Sequence, residues 1–381
     1  MREVYINKVA AFLPNKAVDN ENIEKVLGQV GKRPSRAKKI ILRSNKIEKR
    51  YYAIDPQTRE ATHTNAELTA NAVKLLEKDG LSLNSVDLLS CGTTTPDQLM
   101  PNHGLMVHGE LDCNPLEVIS TAGICLSGVT ALKYAYTSIK SGEADIAIAT
   151  GSENVSATMR SENFTPEVEE KVKNLEKNLE LAFEKDFLRW MLSDGAGAIA
   201  LSAEPNENRL SLKIKKIFSI SYANMLETCM YAGAEKNEDG SLSGWRTFAP
   251  QDWLKKSIFS IKQDVKLLNE NVMEYTVSRA LSTMLEQKMF IPEEIDWFLP
   301  HYSSGFFRNE VYEKMKKSGC DIPQEKWFTN LTYKGNTGSA SIYIMIEELF
   351  NNGKIKKGEK ILCYIPESGR FSTAFMLLEA V

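Results

Sequence analysis

Cys125 stands in the run Ser120-Thr-Ala-Gly-Ile-Cys125-Leu-Ser-Gly-Val129, between an apolar, strand-like stretch and the amphipathic stretch Val129–Ile139. Small residues flank it (Ala122, Gly123, Ser127, Gly128), which leaves room for an acyl group to reach the sulfur. A thiol at a helix start feels the positive end of the helix dipole, which favours thiolate and lowers the pKa. The chemistry this suggests is nucleophilic: the sulfur accepts an acyl group and later releases it. A free cysteine is also a small hydrophobe that fills cores, and local sequence alone does not choose between the two. His301 follows the run Asp296-Trp-Phe-Leu-Pro300, and Asn336 precedes the small-residue segment Thr337-Gly-Ser-Ala-Ser341. Beside a thiolate, such a pair donates hydrogen bonds to a thioester carbonyl whose charge grows as its α-carbon becomes an enolate. The histidine can also move a proton. Taken singly, each has an ordinary alternative: a surface or core histidine, and an N-cap or turn asparagine.

These residues are linked by an internal repeat. A helix-like segment Asn65–Glu77 leads through Gly80 to Val86–Thr95, and Met273–Gln287 leads through Pro292 to Ile295–Ser304. Each copy then continues with a small-residue helix start and a further apolar strand, Ala144–Ala149 in the first and Lys360–Ile365 in the second. Asp87 and Asp296 are 209 residues apart, and Cys125 and Asn336 are 211 apart. Asn336 therefore occupies the place in the second copy that Cys125 holds in the first. Strands alternating with helices predict mostly parallel sheet with covering helices. Ligands in such folds sit at strand carboxyl ends, so the two copies should furnish one shared site. We expect halves at residues 1–205 and 206–381, with a charged helical insertion near 160–190.

Composition narrows the class. Forty-seven Lys and Arg against fifty Asp and Glu give a formal charge of −3, which advertises neither nucleic acid nor a membrane surface. Six cysteines lack the spacing of a zinc site or a disulfide framework, so no metal is expected. No apolar run approaches the length of a membrane span, and the first residues carry no signal-peptide pattern. A cytoplasmic location is expected, where a reactive thiol stays reduced.

The ordered set Arg43–Tyr52, Cys91-Gly-Thr-Thr-Thr95, the Cys125 segment, Ser193-Asp-Gly-Ala-Gly-Ala198, His301 and Gly335-Asn-Thr-Gly-Ser-Ala-Ser341 resembles the β-ketoacyl-acyl-carrier-protein synthase III class of thiolase-like condensing enzymes, nearly end to end. The resemblance implies a duplicated, five-layered αβαβα fold and a homodimer. It implies that Cys125 is acylated by a thioester, and that His301 and Asn336 hold a second, malonyl- or 3-ketoacyl-thioester for Claisen condensation. Gly369 would belong to the loop that supplies oxyanion-hole backbone. The substrates would be coenzyme A or acyl-carrier-protein thioesters, without a cofactor, in fatty acid or polyketide biosynthesis.

Several positions depart from the family pattern. Lys39 stands where members using coenzyme A often carry an adenine-stacking tryptophan, four residues before Arg43, so delivery by a carrier protein gains weight. The basic cluster from Arg33 to Arg50 suits an acidic carrier, or is simply a solvated face. Ser304 replaces an asparagine three residues after the histidine. Arg370 puts a cation near the sulfur's expected place, where it would lower the thiol pKa or bind a carboxylate, or it points to solvent and does neither; Met100 occupies the place that reaches into the partner's acyl pocket. Residues Ser219–Trp245, with Met225, Met230, Tyr231 and Trp245, are a candidate pocket lining. Segments Gly31–Asn45, Tyr51–Asp55 and Thr62–Asn65 resemble the branch that makes dialkylresorcinols and related aryl pigments. Two other readings stay open: a cysteine-dependent thioester hydrolase, and a non-catalytic acyl-binding partner subunit.

Overall fold

The computed structural model describes residues 1–30, 38–167 and 188–381. Most of the expected insertion and the start of the basic cluster lie outside the described residues. Nine strands form one continuous sheet: β1 (Tyr5–Phe12), β2 (Leu88–Thr93), β3 (Glu117–Ala122), β4 (Ile146–Glu153), β5 (Gly195–Ser202), β6 (Leu212–Ser221), β7 (Trp297–Pro300), β8 (Lys360–Glu367) and β9 (Ser372–Ala380), in the order β7-β8-β9-β6-β1-β5-β4-β2-β3.

The order repeats. In the first half β2, β4, β5 and β1 lie side by side, and in the second β7, β8, β9 and β6 do so. The halves join where β1 pairs with β6 through Tyr5 and Ile6 alone. Even the outer strand has a trace of a counterpart, because Phe298 makes a parallel bridge to Trp327 as β2 does to β3. The sheet is mixed rather than mostly parallel. Only β3-β2-β4 and β7-β8 run parallel, and the remaining pairings are antiparallel. The correction has a simple cause. Each half closes with a strand, β5 or β9, that enters beside its predecessor in the opposite direction, and residue patterns do not encode that direction.

The sequence of β8 shows how the layers form. Ile361, Cys363 and Ile365 point to one buried core, Leu362 and Tyr364 to another. In β5, Ile199 and Leu201 face the same central core as those β8 residues, and Ala196, Ala198 and Ala200 face a third. Strands that are apolar on both faces must be covered on both faces. The central cover is helix α2 (Leu126–Ser141), with its counterpart α3 (Ser341–Asn351), whose Val129, Leu132, Ile342 and Met345 fill that core. Helix α1 (Asn65–Lys78) covers the outer face of the first half. It starts with a Thr64–Glu67 capping box and buries Leu68, Ala72, Val73 and Leu76 on one side.

The starts of α2 and α3 touch at backbone distance. A Cβ on Gly128 would lie 2.4 Å from the Ser339 carbonyl, and the Tyr343 hydroxyl donates to the Gly128 carbonyl at 2.8 Å. Gly151 would meet the same Ser339 carbonyl at 2.4 Å, and Gly197 the Tyr343 side chain at 2.3 Å. Gly197, within Asp194-Gly-Ala-Gly-Ala198, thus admits α3 against the sheet. Asp194 anchors the same region by accepting from the amides of Ala53 (2.7 Å) and Ser156 (2.9 Å). Gly128→Ala should therefore lower unfolding stability by about 1–3 kcal/mol in urea melts. Gly109→Ala, where nothing lies within 4 Å, should change it little.

Candidate active site

Strand β3 ends at Ala122, and the chain turns through Gly123 and Ile124 to Cys125, which holds the N-cap position of α2. The turn is tied twice: Ser127 Oγ donates to the Ile124 carbonyl at 2.8 Å, and Thr121 Oγ1 donates to the Ser127 carbonyl at 2.7 Å. The elbow expected from the small residues is present. Across the helix contact, Asn336 precedes the turn that opens α3. Its backbone is held by Met191 and Ser193, with N–H···O distances of 3.1 and 2.8 Å. Its Oδ1 accepts from the Gly338 amide at 3.0 Å, which fixes the carboxamide and leaves Nδ2 as the free donor. His301 follows β7 and is anchored through its backbone amide to the Tyr364 carbonyl at 2.8 Å.

Two cavities meet at Cys125. The larger, of about 420 Å³, is bounded by Cys125, Asn336, Gly369 and Arg370, with Leu192 and Met230 among its apolar walls. The smaller, of about 40 Å³, is bounded by Cys125 and His301 together with Val272, Phe307 and Tyr364. Ser303 and Ser368 line both. Cys125 thus shares one cavity with Asn336 and the other with His301, residues as far as 211 positions away in the second half. Met230 and Tyr231 of the expected lining reach the larger cavity, and Met225 and Trp245 do not.

Other expected positions lie elsewhere. Arg43 is exposed on a helix spanning Lys38–Asn45, outside both cavities. Arg50 is buried and structural, donating to Asn20 Oδ1 at 2.7 Å and the Trp190 carbonyl at 2.9 Å. Met100 is 82% exposed and lines neither cavity of its own chain. Arg370 sits at the rim of the larger one, its Nε bonded to the Leu226 carbonyl at 3.0 Å. Gly369 lies in the four-residue turn between β8 and β9, and its carbonyl accepts from the Cys229 amide at 2.8 Å. Ser304 Oγ accepts from the Phe306 amide and caps the next turn.

Sequence reading missed two carboxylates. Glu153 ends β4 and accepts from the Thr94 amide (3.2 Å), Thr94 Oγ1 (2.5 Å), Thr95 Oγ1 (3.0 Å) and the Ser339 amide (3.1 Å). Glu367 ends β8, and its Oε2 accepts from the amides on either side of Cys125, Ile124 at 3.3 Å and Leu126 at 3.2 Å. Both line the larger cavity. Each sits at the end of a buried apolar strand, a position where an acid is out of place unless it is hydrogen-bonded, and that was the available signal.

The carboxylates overturn the expected electrostatics of the thiol. The first helical amide of α2 is already engaged by Glu367. Burial, followed by the charges of Glu367 and Glu153, pushes the Cys125 thiol well above its ordinary range, despite a partial offset from its own backbone amide. Burial likewise raises both carboxyls, with their hydrogen bonds opposing the rise. Burial pulls His301 down to about 4, so its imidazole is neutral at neutral pH.

The comparisons agree with this architecture. Residues 53–188 match the profile described as thiolase, N-terminal domain, and residues 285–370 match 3-oxoacyl-[acyl-carrier-protein] synthase III C terminal. A β-ketoacyl-[acyl-carrier-protein] synthase III of Anaplasma marginale is 25% identical, with 95% of each chain covered. A Clostridium perfringens protein of the same name is also 25% identical, covering 92% of this chain and 91% of its own. Among solved structures, the tetronic acid condensing enzyme AbyA1 superposes with a TM-score of 0.76 at 20% identity, and the Aquifex aeolicus 3-oxoacyl-[acyl-carrier-protein] synthase III with 0.70 at 21%; each covers 99% of both chains. OleA of Xanthomonas campestris, bound to lauric acid and lauroyl-CoA, superposes with 0.73 at 17%, also covering 99% of both chains.

The fold and the elbow define a thiolase-like condensing enzyme. Within that class, it is a 3-oxoacyl-acyl-carrier-protein synthase III-like condensing enzyme, by its similarity to the proteins of that name.

The depressed His301 pKa makes a signed prediction. The unfolded chain binds a proton at His301 as pH falls through about 6.5, but the folded protein resists until about 4. Stability held by the wild type above about pH 6.5 is therefore lost progressively as pH falls toward 4. His301→Gln removes that loss, so its stability relative to wild type should improve by about 1–2 kcal/mol between pH 7.5 and pH 5, read from urea unfolding at both values.

Proposed function

We propose that Cys125 carries an acyl group from one thioester to the α-carbon of another, with His301 and Asn336 holding the second thioester. The observation that carries the proposal is the position of Cys125 as a shared wall, with Asn336 on the larger cavity and His301 on the smaller. In the first step, the sulfur displaces the carrier thiol. The tetrahedral oxyanion is met by backbone N–H groups, for which Cys125 and the Gly369 turn are the candidates. In the second step, decarboxylation or deprotonation makes an enolate, to which neutral His301 and Asn336 Nδ2 donate hydrogen bonds. The enolate carbon then attacks the Cys125 thioester, and the carbon–sulfur bond breaks as the carbon–carbon bond forms.

The acyl chain belongs in the larger cavity, whose walls are chiefly apolar. The lauroyl-CoA bound to OleA supports a fatty acyl donor. Exposed Lys39, Arg43, Lys46 and Lys49 favour an acidic carrier protein as the delivering partner. Edge strand β3, together with exposed Leu99 and Met100, favours a homodimer in which Met100 reaches the partner's pocket. We assign the nucleophile to a half spanning residues 1–205 and the two donors to 206–381. A specialised product of the dialkylresorcinol type remains our reading of the branch, and fatty acid biosynthesis is the broader pathway.

Incubation with acyl-carrier-protein and acyl-CoA thioesters, followed by intact-protein mass spectrometry, tests the proposal. Wild type and His301→Ala should both gain one acyl mass, and Cys125→Ala none. His301→Ala should lose condensation by about a hundredfold or more. Free acid without carbon–carbon product would identify a hydrolase instead, and no adduct from any donor would identify a binding subunit.

A further inference from the structure

The proposed acyl transfer leaves a problem of proton removal. The Cys125 thiol must lose its proton, yet both neighbouring carboxylates and burial oppose a standing thiolate. A helix start does not relieve this, because the Leu126 amide that would favour a thiolate already serves Glu367. The nucleophile must therefore be generated as it attacks, with a base taking the proton in the same step.

Three groups around the sulfur are eligible. Glu153 has three donors on Oε1 and one on Oε2, all within 3.2 Å, so both of its oxygens are engaged in holding Thr94, Thr95 and Ser339. His301 faces the smaller cavity, and burial leaves its imidazole a weak base, with a pKa of about 4. Glu367 differs from both. Its Oε2 is bonded to the amides of Ile124 and Leu126, which straddle the cysteine, whereas Oε1 carries no protein hydrogen bond among the described residues. The free oxygen sits beside the Gly369 turn, 3.2 Å from where a Gly369 Cβ would stand. Glu367 is thus clamped to the elbow by one oxygen and offers the other to the cavity shared with Cys125.

We propose that Glu367 is the general base of the acylation step, taking the Cys125 thiol proton on Oε1 as the sulfur attacks the thioester. The sulfur–carbon bond to Cys125 forms, the carbon–sulfur bond to the incoming carrier breaks, and the proton passes from Glu367 to the departing thiolate. The carboxylate is regenerated, and no oxidant or further reactant is consumed. Gly369 then has a reason to lack a side chain, since a Cβ would crowd both Oε1 and Ile124 Cδ1, the latter at 3.0 Å. The inference rests on the acyl-transfer reading of Cys125.

The test uses two reagents that respond to Glu367 in opposite directions. Iodoacetamide reports how readily the thiol ionises, and lauroyl N-acetylcysteamine thioester reports base-assisted acyl transfer without needing a carrier. In Glu367→Gln the amide oxygen still accepts from Ile124 and Leu126, but the charge is gone. Alkylation of Cys125 at pH 7.5 should become several-fold faster, and acylation should become about a hundredfold slower. Glu367→Asp should retain more acylation than Glu367→Gln. If both rates rise, Glu367 is only an electrostatic brake. If both fall, it only holds the elbow. Either result overturns the proposal. Wild-type acylation measured alongside judges the acyl-transfer reading separately: its absence defeats that reading, whatever the variants do.

Discussion

The contact between Gly128 and Ser339 is the constraint on which the site depends. Two helices that open at equivalent points of a duplicated fold meet there, close enough that no side chain fits at residue 128. Because each helix start carries its own polar residue at the preceding turn, the contact brings Cys125 and Asn336 to one cavity. Glycines at 151 and 197 serve the same approach from the sheet side, against Ser339 and Tyr343. The geometry is a matter of excluded volume before it is one of catalysis. Hydrogen bonds follow, as the Tyr343 hydroxyl and Ser339 amide find partners only at this separation.

That constraint explains which parts were legible from residues alone. The repeat was visible because corresponding strands bury both faces and so carry the same apolar runs, as in Ile146–Glu153 and Lys360–Glu367. Cys125, His301 and Asn336 were legible because each ends or begins such an element. Strand direction was not, since Gly195–Ser202 and Ser372–Ala380 have the same composition whether they run parallel or antiparallel to their neighbours. The thiol's electrostatics were also hidden. Glu367 reaches its partners at Ile124 and Leu126 across more than 240 residues, and Glu153 reaches Ser339 across 186. Arg370 stood in the same loop and drew attention as a charge, and its Nε is bonded to the Leu226 carbonyl at the cavity rim.

The two carboxylates are held in different ways. Glu153 stitches the end of β4 to Thr94 and Thr95 and to the start of α3, and its four hydrogen bonds offset the desolvation of a charge. Removing it would leave several donors unpaired at the point where the halves meet. Among the described residues Glu367 has two such bonds, both to the elbow itself, and its other oxygen has no protein partner at the cavity. A carboxylate oxygen left open to a cavity beside a nucleophile is a pattern found where structure is arranged for reaction rather than for rigidity.

In the proposed two-step reaction, sulfur, imidazole and carboxyl divide the protonic work. Neutral His301 suits the second step, because a neutral donor can stabilise an enolate while also accommodating an uncharged thioester. An imidazolium there would stabilise thiolate as well, and would hold the sulfur as an ion pair rather than release it to the acyl group. The burial that lowers the His301 pKa therefore keeps the second site from trapping the nucleophile. The same burial raises the Cys125 thiol and keeps it protonated until a thioester arrives. A thiol held in that state resists adventitious alkylation and oxidation, which attack thiolate. Reactivity then depends on substrate entering the larger cavity and aligning its carbonyl, so the two cavities that meet at Cys125 separate the storage of the nucleophile from its use.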